Sequence, residues 1–514
     1  MTDIFFTGNM VSNKLYLNQG NWEFADISIS AGVAGSKKWY TGVSMCDVNN
    51  DGWLDIYACV SGKGGDLHNE LYINNQDLSF TESAAEYGLD DPGASIQSVF
   101  FDYDHDGDLD VLVANYPATP FSSPNAYYRR KMANLNWEES DHLYQNQGDG
   151  TFVDVSAASG IANFGLTLGV SAADFNQDGW TDLYLSNDFN TPDRLYINQG
   201  DGTFADQLKQ STYQNALFGM GCDAADINND GLLDLIQVDM TPADNRRSKE
   251  NMASMNPLLF WNTVQSGFHY QYMYNVLQIN QGINQENQLQ FSNVARLAGV
   301  ATTDWSWAPL FADFDNDGLQ DLFVTNGIKR DVNNKDFFDA LQLEVNFTGS
   351  LENVSYEKIP SEPVPNQVFR NRGDLTFENT SENWGLDFIG FSQGSAYADL
   401  DNDGDLDLIV NNMDHPAGLF ENRLSSTHQY LKVKLLGPEQ NRFGIGAKIF
   451  VYSGDEQQLQ ELSLTRGYQS SVAPIVHFGL GTREIIDTLV VRWPDGRQNK
   501  LTQLSSNQTL VIRY

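Results

Sequence analysis

The nonapeptide Asp313-Phe314-Asp315-Asn316-Asp317-Gly318-Leu319-Gln320-Asp321 puts carboxylates at its positions 1, 3, 5 and 9 and a glycine at position 6. Acidic oxygens this dense repel one another unless a cation sits among them. A site made of oxygen alone suits a hard ion, and calcium tolerates the six to eight flexible contacts a short loop can offer. The carbonyl of Leu319 is the expected main-chain ligand at position 7, and Gly318 supplies a sharp turn that a Cβ would resist.

The pattern recurs five more times. Positions 1, 3, 5, 7 and 9 are Asp47, Asn49, Asp51, Trp53 and Asp55 in one copy and Asp102, Asp104, Asp106, Asp108 and Asp110 in the next. They are then Asp174, Asn176, Asp178, Trp180 and Asp182, followed by Asp226, Asn228, Asp230, Leu232 and Asp234, and last by Asp399, Asp401, Asp403, Asp405 and Asp407. A single acidic turn can arise by chance, but six in register cannot, so about six calcium ions are expected. An EF-hand loop also begins in this way, yet it needs glutamate at position 12 and flanking helices. Position 12 here is Ala58, Val113, Leu185, Gln237, Val324 or Val410, and each loop runs into a β-rich segment such as Leu322-Phe-Val-Thr325. The expected cation therefore sits in a β-hairpin turn.

A second phrase alternates with the loops: Leu15-Tyr-Leu-Asn18, Leu71-Tyr-Ile-Asn74, Leu143-Tyr-Gln-Asn146, Leu195-Tyr-Ile-Asn198, Leu277-Gln-Ile-Asn280, Val368-Phe-Arg-Asn371 and Leu419-Phe-Glu-Asn422. Two copies lead into Asp-Gly, at Asp149-Gly150 and Asp201-Gly202, a hairpin signal. Each unit thus reads as four antiparallel strands: A before the acidic loop, B after it, C at the Leu-Tyr-x-Asn phrase and D beyond the Asp-Gly turn. Repeats of this kind predict an all-β, seven-bladed β-propeller over residues 1–423. The first unit begins part-way through an acidic loop and lacks strand A, and the last lacks strand D. This reads as an N-terminal truncation whose missing front would close the ring and could carry an export signal. Residues 424–514 alternate as short strands without the repeat and predict a separate small β domain.

Insertions at 115–142, 239–275 and 326–366 all fall between strands B and C, on the face opposite the acidic loops. That face is expected to carry ligand-binding residues: Trp39, Tyr40, Trp261, Trp305, Trp307, Lys329 and Arg330.

The acidic loops resemble FG-GAP repeats of integrin α-subunit propellers and are closer still to bacterial VCBS-type repeats. Asn441-Arg-Phe-Gly-Ile-Gly-Ala447, Arg466-Gly-Tyr-Gln-Ser470, Val476-His-Phe-Gly-Leu-Gly481 and Val491-Arg-Trp-Pro-Asp-Gly496 resemble the ASPIC/UnbV domain that ends cartilage acidic protein and its bacterial relatives. The resemblance implies a secreted or cell-surface calcium-binding protein.

Of 68 acidic residues set against 30 basic ones, 23 are aspartates of the six loops, so much of the net charge of −38 is ligand chemistry. The remaining acidity argues against nucleic acid and anionic membrane as partners. No apolar run approaches the ~18 residues of a membrane span. Cys46, Cys59 and Cys222 are too few for a disulfide framework. The expected function is a calcium-binding adhesion or recognition module for extracellular protein or glycan. The alternative is a polysaccharide lyase or hydrolase on the same scaffold. The stretch Gly390-Phe-Ser392-Gln-Gly394 spells a nucleophile elbow but opens a strand, where an elbow requires a strand-to-helix turn.

Overall fold

The computed structural model describes residues 1–62, 65–120, 123–252, 257–348, 356–423 and 428–514. Residues 424–427, where the boundary between the two units is expected, lie outside them. Seven antiparallel sheets follow one another with strands in the order A-B-C-D. Six of them open on an A strand: Tyr40–Cys46, Ser95–Phe101, Thr167–Ala173, Cys222–Ala225, Ser306–Ala312 and Ser392–Ala398. The first sheet has three strands, Ile4–Phe6, Lys14–Asn18 and Phe24–Asp26, and so has the last, which ends at Gly418–Phe420. Successive A strands pack side by side. The last sheet meets the first through Ile4, Ala398, Leu400 and Ile409, and Trp22 Nε1 donates to Asp401 Oδ2 at 3.3 Å. The chain is a β-propeller.

Strand A pairs with strand B directly across each acidic loop, as in Cys46↔Asp55 and Ala312↔Asp321. Apolar residues face both sides of these strands because each sheet is sandwiched between neighbours; the strand Asp55–Val60 is buried along its whole length. The insertions carry helices Asn125–Ala133, Asn245–Asn251, Pro257–Gln265 and Lys335–Thr348.

From Gln429 onward two sheets pack together, one built on Gln429–Leu436 and the other on Lys448–Ser453. This unit, expected as a separate small β domain, is docked on the propeller. Leu431, Val433 and Phe478 share one core with Cys46, Tyr57 and Val111 of the second and third sheets. Its hairpin, Thr465–Arg466 with Ser470–Ser471, enters the propeller axis and runs along the inner strands, bridging those of the second and last sheets. Arg466 grips Asp223 through Nε at 2.5 Å and Nη2 at 2.9 Å, and Tyr468 packs on Trp307 with ring centres 5.2 Å apart. The Arg466-Gly-Tyr-Gln-Ser470 phrase is thus the plug of the propeller.

Candidate metal centres

Five of the six loops close on the same hydrogen bonds. In the Asp313 loop the N–H groups of Asp317 and Gly318 donate to the two oxygens of Asp313 at 3.1 and 2.8 Å, and Leu319 N–H donates to Asp317 at 3.0 Å. The Asp47, Asp174, Asp226 and Asp399 loops tie positions 5 and 6 to position 1 in the same way. The turn needs left-handed backbone at positions 4 and 6; Gly318 has φ 96° and Asn316 φ 56°, a conformation asparagine tolerates better than most side chains.

Carboxylate oxygens converge within 4.8 Å of one another in three sets: Asp102, Asp104 and Asp110; Asp313, Asp315 and Asp321; Asp399, Asp401 and Asp407. Buried oxygens of Asp102, Asp104, Asp108 and Asp315 accept no hydrogen bond, leaving acceptors that a cation would satisfy. Burial pushes Asp55, Asp102, Asp226 and Asp407 up to about 7, Asp234 to about 8 and Asp110 to about 9, and neighbouring carboxylates add to the effect. Asp182, Asp313 and Asp321 rise for the same reason. Such groups fit a hard divalent ion, which would hold them ionised. Positions 1, 3, 5 and 9 would supply the side-chain oxygens, and Asp108 and Asp405 stand as carboxylates at position 7 of their loops.

Position 9 also organises the fold. Asp321 Oδ2 accepts from Phe314 N–H and its Oδ1 from Asn371 N–H, at 3.1 and 2.9 Å. Asn371 closes the Val-Phe-Arg-Asn phrase. Its side-chain amide donates to Gln320 O in its own loop at 3.0 Å and to Ile227 O in the preceding loop at 2.8 Å. Asn198, Asn280, Asn422 and Asn18 make the same backward reach, to Tyr103, Phe175, Phe314 and Leu400. A forward link comes from position 4: Gln177 donates to Gly231 O, Asn229 to Gly318 O and Asn316 to Gly404 O. His105 lies flat on Trp180 of the next loop, ring centres 3.7 Å apart. The repeated asparagine was visible in the sequence as a strand marker, but its role as a staple between neighbouring loops was not.

The docked C-terminal unit reaches all six loops. Arg442 donates to Asn50 O at 2.6 Å, Gln440 stands over Gly107, Lys448 pairs with Asp174, and Gln457 stands over Gly231. His477 Nε2 lies 2.6 Å from Asn316 Oδ1, and Lys432 pairs with Asp399. The approach is close enough that a Cβ on Gly479 would fall 2.0 Å from Asp313 Oδ2. From the strand Gln367–Asn371 of the same sheet, Arg370 pairs with Asp315 of the loop at 2.5 Å and with Asp317 at 2.8 Å.

The residues expected to bind ligand on the opposite face divide. Trp39 and Trp261 are exposed. Tyr40 is buried with its hydroxyl on Glu70, and Trp305 is buried, so neither offers a ring to solvent. Trp307 gives its N–H to Gly327 O and packs on Tyr468, Lys329 pairs with Asp414 at 2.7 Å, and Arg330 donates to Ile359 O at 3.0 Å. Ser392 of the elbow-like stretch is fully buried between Asn366 and Asn412, closed to any substrate. The three cysteines are free and buried, and burial pushes the Cys59 thiol up to about 12.

The FG-GAP-like repeat profile matches residues 1–58, 47–113, 132–185, 174–236 and 354–410. This chain belongs to the FG-GAP repeat family. The ASPIC and UnbV profile matches residues 437–514, the docked unit. The Asp313 loop falls outside the matched repeats, yet its hydrogen bonds are those of the others. Cartilage acidic protein 1 of Mus musculus and of Homo sapiens are each 24% identical over 496 residues, covering 92% of this chain. The chain spans 64% and 63% of the lengths of those relatives. Among solved structures, an Agrocybe aegerita lectin that recognises non-reducing terminal N-acetylglucosamine is similar at TM-score 0.39 and 15% identity, over 82% of this chain and 90% of that one. The rhamnogalacturonan lyase YesX is similar at TM-score 0.32 and 10% identity, over 92% and 73%. Among the described residues no helix is long and apolar enough to cross a membrane.

Proposed function

We propose that this FG-GAP repeat protein is a calcium-stabilised, non-enzymatic recognition module that works outside the cell, with calcium serving the fold and ligand held on the opposite, insertion-bearing face. The observation that carries the reading is the position of the C-terminal unit, whose side chains stand on all six acidic loops. An ion in those loops sits between two parts of the same chain and is not presented to a partner. The face left open bears the inserts, with Trp39 and Trp261 exposed.

Millimolar calcium over sites of ~10⁻⁴–10⁻³ M stands at about 1–10 times the dissociation constant and adds about 0.4–1.4 kcal/mol per site, so six sites each acting alone would add roughly 2–9 kcal/mol. The upper part of that range is comparable with the whole stability of a typical domain, about 5–15 kcal/mol. Millimolar extracellular calcium suffices for sites of ~10⁻⁴–10⁻³ M. The test is thermal unfolding during calcium titration, with ion stoichiometry from calorimetry. About six ions and a large rise in melting temperature are expected. Absence of binding would overturn the metal assignment, and binding without stabilisation would move calcium to ligand capture.

A further inference from the structure

The fourth sheet has only the short link 188–193 between its B and C strands, and the inserts of its two neighbours close over it. Helix Asn125–Ala133 comes from the third sheet and helix Pro257–Gln265 from the fifth. Asn125 Nδ2 donates to Thr263 Oγ1 at 3.2 Å and Asn190 Nδ2 to Asn125 Oδ1 at 2.8 Å, which joins both inserts to the link. Behind this junction opens a cavity of about 510 Å³, within the ~300–1,000 Å³ range of small-molecule pockets.

Three cations line it: Arg129, Arg194 and Lys209. Arg194 is held by Asp206 at 2.7 Å and by Asn163 at 2.6 Å, and its buried Nε has no hydrogen-bond partner. Lys209 donates to Gly267 O, and Arg129 is exposed. Two carboxylates share the lining. Asp206 is occupied by Arg194, and Asp193 takes the N–H of Asn187 and the O–H of Tyr184. Positive charge is thus in surplus at this opening, in a chain of net charge −38. The C-terminal ends of both helices face the same space, and their partial negative charge steadies the cations there but works against a bound anion, so Arg129 and Lys209 have to outweigh it. Pro192, Leu208 and Phe268 give the wall an apolar part.

We propose that this cavity is an anionic-sugar subsite, taking a saccharide residue that carries a carboxylate or sulfate group. Arg129 and Lys209 hold the charged group while the apolar wall meets the C–H face of the ring. An open recess whose walls mix charged and apolar residues suits a ring better than an extended acidic peptide, which needs a groove or sheet edge along which to run. The inference rests on the recognition reading above and names its ligand class.

The test is calorimetry of the full chain in saturating calcium with three probes: galacturonate oligomers, heparin oligosaccharides and neutral dextran oligomers. Binding of a charged probe is expected, weakened by salt, with a dissociation constant raised roughly tenfold in Arg129→Gln and again in Lys209→Gln. The carboxylated and sulfated probes distinguish the two sources of charge. Charged-probe binding unchanged in both variants, or preference for dextran, would overturn the subsite and leave the recognition reading standing. If no glycan binds but an acidic peptide does so through Arg129 and Lys209, the sugar assignment fails. With wild-type melting temperatures in calcium, loss of binding in the variants is not a folding defect.

Discussion

Replacing Asn371 by alanine removes one staple and leaves every acidic ligand in place. The side chain is 2% exposed and makes three hydrogen bonds: to Ile227 O at 2.8 Å, to Gln320 O at 3.0 Å and from Gly373 N–H at 2.9 Å. Its backbone N–H keeps its bond to Asp321 in the variant. At a net ~1 kcal/mol for each lost bond, Asn371→Ala should cost about 3 kcal/mol, and more if the two carbonyls stay dry. Urea unfolding in saturating calcium measures this against the exposed Asn75→Ala, for which under ~0.5 kcal/mol is expected. Because Ile227 is position 2 of the Asp226 loop, calcium binding at both that loop and the Asp313 loop should weaken. A loss below ~1 kcal/mol with unchanged calcium binding would refute the staple.

In calcium-depleted buffer the melting temperature should fall as pH rises from about 4 to 9. Asp55, Asp102, Asp226, Asp234 and Asp110 have folded values of about 7 to 9, above the unfolded ~3.9, so the fold binds the extra protons and loses stability as they leave. Saturating calcium should abolish that fall, and a depleted protein that grows more stable towards pH 8 would contradict the burial argument. Arg370→Gln frees Asp315 and Asp317 from two half-exposed ion pairs and should tighten one calcium site roughly three- to tenfold by calorimetry; a weaker site would mean that Arg370 positions the loop. Arg466→Met leaves Asp223 buried without its partner and should cost about 3–5 kcal/mol in urea, with the C-terminal unit melting separately from the propeller. A single unshifted transition would show that the plug does not couple the two units. Calcium titration followed by tryptophan fluorescence should rise with a Hill slope above 1, and a slope of 1 would argue against linkage between loops.

The propeller was legible because its signals are local and repeated. Aspartate at positions 1, 5 and 9 with glycine at 6 fixes a turn, and an apolar run on either side fixes two strands of a sheet buried on both faces. The docking of the C-terminal unit had no such signal. Lys432 and Lys448 sit in alternating strands where a lysine reads as solvent-facing, yet they pair with Asp399 and Asp174, far away in sequence. Tyr40 and Trp305 misled for the converse reason. Aromatic residues beside polar ones resemble an exposed recognition surface, and here each is buried at the start of an inner strand, Tyr40 with its hydroxyl on a carboxylate.

The same geometry makes the six loops one structure. Asn18, Asn198, Asn280, Asn371 and Asn422 reach back to the preceding loop, while Gln177, Asn229 and Asn316 at position 4 reach forward to the next. The Asp226 and Asp313 loops are thus held from both sides, and so is the Asp174 loop once Asn198 and the His105–Trp180 stack are included. The atoms involved are backbone carbonyls at positions 2 and 6 and the carboxylate at position 9, beside or within the expected ligand set. An ion that fixes one loop therefore fixes the hydrogen-bond acceptors of its neighbours. The C-terminal unit adds a second tie across the ring, since a rigid pair of sheets standing on six loops fits them only when all are closed together. The Asp47 loop is held differently, with the carbonyl of Asn50 taken by Arg442 of that unit, so docking does for it what an adjoining loop does for the others.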